Sequence, residues 1–115
     1  MGEQLARKYL EEIGFKILET NWRYGKDEVD IIAKDGNELV IIEVKTRSTS
    51  YFGEPSEAVG LTKEDFMFRA AESYLEITDL DTDTRFDIVS IVIDKRSTHI
   101  EHIRDAFYPE MPELD

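Results

Sequence analysis

Apolar positions follow two rhythms along this chain. Between residues 3 and 13, Leu5, Ala6, Tyr9, Leu10 and Ile13 fall at i, i+1, i+4, i+5 and i+8, which is one stripe of a helix. Gly14 stands where a C-terminal cap belongs. After it the rhythm changes to short apolar runs cut by turn residues. Phe15 to Trp22 predicts a first strand, Tyr24-Gly25-Lys26 a hairpin turn, Asp27 to Ala33 a second strand and Lys34-Asp35-Gly36-Asn37 a second turn. Glu38 to Thr46 predicts a third strand. Its run of Leu39, Val40, Ile41, Ile42 and Val44 is nearly continuous, the mark of a central strand covered on both faces. Two adjoining hairpins imply an antiparallel meander.

Residues 48–61 predict a long loop containing Gly53 and Pro55, of a length that is either functional or mobile in small domains. Thr62 is suited to cap a second helix over 63–77. Its inward stripe is expected to be Met67, Phe68, Ala71, Tyr74 and Leu75, with Phe66 off the stripe and exposed. Phe86 to Ile93 predicts a fourth strand and Thr98 to Ile103 a short edge strand. The expected organisation is one domain over 1–108 and an acidic, disordered tail over 109–115.

Composition narrows the class. A chain of 115 residues, 41% hydrophobic and 35% charged, suits one soluble domain with one core. No apolar run reaches membrane-spanning length, and no secretory block opens the chain, so a cytoplasmic location without membrane contact is expected. The absence of cysteine excludes disulfides and thiolate metal sites. The net charge of −12 argues against nucleic-acid binding by bulk electrostatics. The charge is uneven, however, being −2 over residues 1–53 and −7 over 54–87. The first half can therefore present a locally basic groove.

Acids interrupt the apolar strands. Side chains on a strand alternate, so Glu43 and Lys45 share a face, as do Glu28 and Asp30. Counting outward from the second turn sets Asp30 opposite residue 41 or 42, one diagonal step from Glu43. Two carboxylates about 4 Å apart repel by roughly 4 kcal/mol at an effective dielectric near 20. A sheet carries that only with a cation between them or with one acid protonated. Oxygen ligands suit magnesium or manganese. A neighbouring lysine can polarise an attacking water and stabilise charge on a phosphate. The alternative is a solvated strand end, with Glu43–Lys45 an ordinary surface pair. Glu3, by spacing alone, either complements the helix dipole or leans over the sheet. His99 and His102 lie three apart, on opposite faces of an extended segment, and read as structural or surface residues. Trp22 could stack on a base, although an aromatic at a strand end is more often core.

Asn21-Trp22-Arg23, Glu28-Val29-Asp30-Ile31-Ile32 and Val40-Ile41-Ile42-Glu43-Val44-Lys45-Thr46-Arg47 together resemble the YraN-like family of predicted endonucleases, within the PD-(D/E)xK nuclease superfamily. The similarity extends to Glu3-Gln4-Leu5-Ala6, Phe52-Gly53, Lys63, Ala70-Ala71, Arg85-Phe86-Asp87 and His102-Ile103-Arg104-Asp105-Ala106-Phe107. It implies an α/β, restriction-endonuclease-like fold: a mixed sheet of four to five strands flanked by two helices, in the order αβββαβ with a short final strand. It implies Asp30, Glu43, Lys45 and Glu3 as catalytic residues. A magnesium or manganese ion would sit on Asp30, Glu43 and the Val44 carbonyl, with Glu3 reached through water. Arg23, Lys26, Arg47 and Lys63 are the implied phosphate contacts. DNA, branched or single-stranded, is the implied substrate, and a homodimer would suit a junction. Where relatives carry glycine this chain has Asp27, and where they carry a basic second helix it has Glu64-Asp65-Phe66-Met67-Phe68. Phe66 and that acidic helix could form a self-association surface. The acidic helix also favours a second reading, a nuclease fold retained as a scaffold or interaction module. A phosphohydrolase of sugars or nucleotides is a third.

Overall fold

A computed structural model describes residues 2–48 and 61–109. The elements follow the order α1 (Gly2–Glu12), β1 (Lys16–Tyr24), β2 (Asp27–Asp35), β3 (Glu38–Ser48), α2 (Leu61–Thr78), β4 (Thr84–Ile93) and β5 (Thr98–Ile103). The five strands form one mixed sheet in sequence order, the α/β architecture that the sequence predicts. β1–β2, β2–β3 and β4–β5 pair antiparallel, whereas β3–β4 pair in parallel. A parallel neighbour needs a crossover, and α2 lies within it.

Both meander turns are two residues long, with Gly25 (φ 65°) and Gly36 (φ 61°) at their first central positions. Positive φ there is what a II′ hairpin requires, and glycine adopts it without steric cost. These turns fix the register: Asp35 pairs with Glu38 and Ile31 with Ile42. Continued one step, that register sets Asp30 opposite Glu43 itself rather than opposite residue 41 or 42. The sequence count sets the turn centre half a residue to one residue early. β1 carries a bulge between Ile17 and Glu19, a device that bends an edge strand.

Each face of the sheet carries one helix. Ala6 and Leu10 of α1 pack with Phe15 on Ile31, Ala33, Val40, Ile42, Val89 and Ile91. On the other face, Phe66, Met67, Ala70, Ala71 and Tyr74 of α2 cover Ile32, Leu39, Ile41, Phe86 and Ile88. The even and odd residues of β3 thus enter different cores, as its continuous apolar run implied. Burial of Ile41, Ile42, Leu39 and Val40 is complete. At about 25 cal/mol per Å², each such side chain contributes roughly 1.5–3 kcal/mol of transfer free energy.

Three expectations change. Phe66 is buried at 6% exposure, against Tyr24 at 5.8 Å, because the inward stripe of α2 runs one residue earlier than the spacing suggested. It therefore offers no self-association surface. Thr62 lies inside α2, which begins at Leu61, so it is not the cap. Ile13 falls outside α1, whereas Gly14 (φ 98°) caps it as expected: the Gly14 N–H donates to the Glu11 carbonyl at 3.1 Å and the Phe15 N–H to the Leu10 carbonyl at 2.9 Å. The expected loop, apart from Ser48 and Leu61, lies outside the described residues, as does the expected tail beyond Pro109.

Candidate active site

Strand alternation sends Glu43 and Lys45 to the α2 face, beyond Ile41. Asp30 reaches them from β2: its Oδ2 accepts the Val44 N–H at 2.8 Å. That bond stands where the β2–β3 ladder ends, so a carboxylate satisfies an amide that the neighbouring strand no longer serves. Glu43 is buried, with 7% exposure. Its Oε1 lies 3.4 Å from the Lys45 Nζ, and its Oε2 lies 3.6 Å from the Lys63 Nζ. Lys63 comes from the first turns of α2, and its ammonium lies 4.9 Å from the Phe66 ring centroid.

The electrostatics are opposed within this group. Burial pushes the Asp30 carboxyl above the usual carboxylate range, and the Glu43 charge pushes it further. The Val44 amide, Lys63 and Lys45 pull it down without cancelling the rise. The repulsion expected from sequence is thus present, and lysines supply part of the relief that a cation would give.

Glu3, expected to reach the ion through water, stands in the first turn of α1, next to Gly2, which lies against the Thr46 side chain of β3. That helix packs on the other face of the sheet. Among the described residues, no three acids or histidines gather closely enough to hold one ion. Two carboxylates nevertheless fit a magnesium-class ion, which binds through one or two carboxylates and keeps several waters. The donor chemistry is all oxygen, and the like charge already acting between Asp30 and Glu43 is what a dication would offset.

The implied phosphate contacts divide. Lys63 is engaged with Glu43, whereas Arg23 pairs with Glu28 at 3.5 Å on the exposed β1–β2 hairpin and Lys26 occupies its turn. Arg47 is half-buried on β3, two residues beyond Lys45. Trp22 is half-buried, stacked on Tyr24 at 6.1 Å and edge-on to Tyr74 at 5.3 Å, so it serves the core.

Two polar features lay beyond the sequence reading. Ser90 is fully buried, its hydroxyl has no hydrogen-bond partner among the described residues, and it pairs in register with Lys45. On the opposite face, Asp87 is fully buried and binds both Arg85 (2.9 Å) and the His102 Nε2 (2.7 Å). The His102 Nδ1 meets the Tyr9 hydroxyl at 3.0 Å. The repeated acid–base spacing of Arg85-Phe86-Asp87 was the available signal for the second feature. Nothing in sequence announces a buried serine without a partner. His102 is therefore structural and His99 exposed, as their spacing suggested.

Among the described residues, no helix is long and apolar enough to cross a membrane. Residues 2–91 match the profile of a family described as "Uncharacterised protein family UPF0102". A UPF0102 protein of Bacteroides thetaiotaomicron is 46% identical over 110 residues, covering 96% of this chain and 91% of the relative. One from Christiangramia forsetii is 50% identical over 107 residues, covering 93% and 90%. One from Flavobacterium psychrophilum is 45% identical over 107 residues, again covering 93% and 90%. With similarity of this extent on both sides, and with the residue blocks noted at the outset, the chain belongs to the uncharacterised family UPF0102, the YraN family.

Proposed function

We propose that this protein is a magnesium- or manganese-dependent endonuclease that hydrolyses phosphodiester bonds in branched or single-stranded DNA. The observation that carries the reading is the convergence of Asp30, held by the Val44 amide, with the buried Glu43 carboxylate at one strand end, the Lys45 ammonium lying 3.4 Å from Glu43. A fold holds such a pair of acids at some cost, and such costs concentrate at functional sites. Asp30 and Glu43 would hold the ion, with the Val44 carbonyl as the third protein donor. When bound, that ion supplies Lewis-acid stabilisation of a phosphate. Lys45 holds a positive charge at the Glu43 carboxylate, where it can orient water and stabilise the negative charge developing on phosphate oxygens. The Val44 amide fixes the Asp30 carboxyl group, so one of its oxygens has a set direction. Arg47 and Lys63 extend positive charge beside the site, against the −12 of the chain.

Manganese-dependent cleavage of a branched or single-stranded oligonucleotide is expected. Glu43→Ala and Lys45→Ala should each reduce it about 100-fold or more. Cleavage undiminished in both variants would end the proposal. The second reading, a scaffold or interaction module, is favoured by the two lysines already on Glu43 and by the acidic surface. Calorimetric titration separates the two: no manganese binding at millimolar concentration selects the scaffold.

A further inference from the structure

We infer that Lys63 is a resident cation of the carboxylate pair, one that an entering divalent ion displaces from Glu43 and thereby frees for a phosphate. The inference rests on the cation-dependent reading above. It goes further in giving Lys63 two positions rather than one.

The two lysines of the site are held differently. Lys45 lies two residues from Glu43 on the same strand and the same face, so its proximity follows from the pleat itself. Lys63 arrives from another element, and its 3.6 Å approach to Oε2 depends on side-chain reach alone. Its side chain remains about one-third exposed, so a path to solvent stays open. Phe66, 4.9 Å away, gives the ammonium a weak second partner through its ring face. A long flexible stem, a loose ion pair and an exposed head describe a group that can leave.

Glu43 gives the departure its cause. Both of its oxygens face an ammonium, Oε1 towards Lys45 and Oε2 towards Lys63. A dication drawn to the charges of Asp30 and Glu43 would meet Lys63 on one of the oxygens it needs. Like charges on one oxygen are unfavourable, so Lys63 and the ion exclude one another. Displaced, Lys63 remains tethered at the start of α2, beside the site and with its charge uncompensated. A phosphodiester bound there would be its natural partner. Ion binding would in that way convert a neutral carboxylate–lysine group into an anion-receiving one. Lys63 also lowers the repulsion that Asp30 feels from Glu43.

The test is calorimetric titration of the full chain with manganese chloride, without nucleic acid, on the wild type, Lys63→Met and Lys63→Arg. Thermal melting checks that each variant folds. Methionine keeps the helix propensity and the stem while removing the charge. If Lys63 competes with the ion, Lys63→Met should bind manganese about fivefold more tightly than wild type, the effect of one partly exposed ion pair. Lys63→Arg, which keeps the charge, should stay near the wild-type value. Unchanged or weaker binding by Lys63→Met, with the wild type still binding, overturns the inference and leaves the nuclease reading standing. Tighter binding by both variants also overturns it, because charge would not be the cause. Failure of all three proteins to bind manganese overturns the inference together with the reading beneath it.

Discussion

The two faces of the sheet carry two charged clusters built from similar residues and held in opposite states. Beneath α2, Asp30, Glu43, Lys45 and Lys63 approach at 3.4 and 3.6 Å across their ion pairs. Beneath α1, Arg85 lies 2.9 Å from both Asp87 and Asp35, and His102 lies 2.7 Å from Asp87. Burial acts upward on both aspartates. For Asp87 it is outweighed by hydrogen bonds from His102, Arg85 and the Asp105 amide, and the carboxyl sits below its usual range. For Asp30 the Glu43 charge adds to burial, and the carboxyl sits above it. Desolvation alone therefore does not mark a site. What distinguishes the clusters is whether the partners available to each acid complete its coordination. The Asp87 cluster ties α1, β2, β4 and β5 together. The Asp30 cluster leaves a net unfavourable interaction that a ligand can relieve.

The sharpest way to break the contrast is to remove Asp87. Asp87→Ala leaves Arg85 without its principal partner and is expected to cost about 3–5 kcal/mol in denaturant unfolding. The sign of the pH dependence follows from the lowered carboxyl. Its stabilisation is present above the unfolded-state value near 3.9 and is lost as pH falls through the lower folded value. Wild-type stability should therefore decline through that acidic window, and the decline should be shallower in the variant. An intermediate effect is expected from Tyr9→Phe, which takes one hydrogen bond from His102 and should cost about 1 kcal/mol by the same measurement.

The smallest effect has the opposite sign. Asp30→Asn keeps an acceptor for the Val44 N–H and removes the charge that Glu43 opposes. A raised carboxyl is favoured when protonated, so its contribution is present at acid pH and lost as pH rises through the folded value. Asp30→Asn should therefore stabilise the protein by up to about 1 kcal/mol at neutral pH, and the gain should vanish towards pH 3. Equal destabilisation by Asp30→Asn and Asp87→Ala would erase the distinction between the two faces.

The sequence made the sheet legible because its signals were local. Alternation, two glycine turns and one continuous apolar strand determine β1 to β3 and put Glu43 and Lys45 on one face. Those signals could not resolve where α2 turns its stripe, since Phe66, Met67 and Phe68 are all apolar and one residue rotates the choice by about 100°. They could not place Lys63 against Glu43 either. That approach depends on the parallel pairing of β3 with β4, which sets where the crossover docks. Nor could they give Glu3 its position, because the face chosen by α1 is decided by packing across the whole sheet. Family resemblance assigned Lys63 to phosphate, and the ion pair with Glu43 is visible only in three dimensions.

The parallel joint between β3 and β4 has a kinetic consequence. Asp30 and Glu43 come together within a single hairpin, a contact of short sequence separation that closes early. Lys63 arrives with the crossover, whose pairing joins Leu39 to Thr84 and must close a far longer span of chain. A meander formed before that span closes would hold its two acids with Lys45 alone beside them. Docking of the crossover thus also delivers the second countercharge to the site.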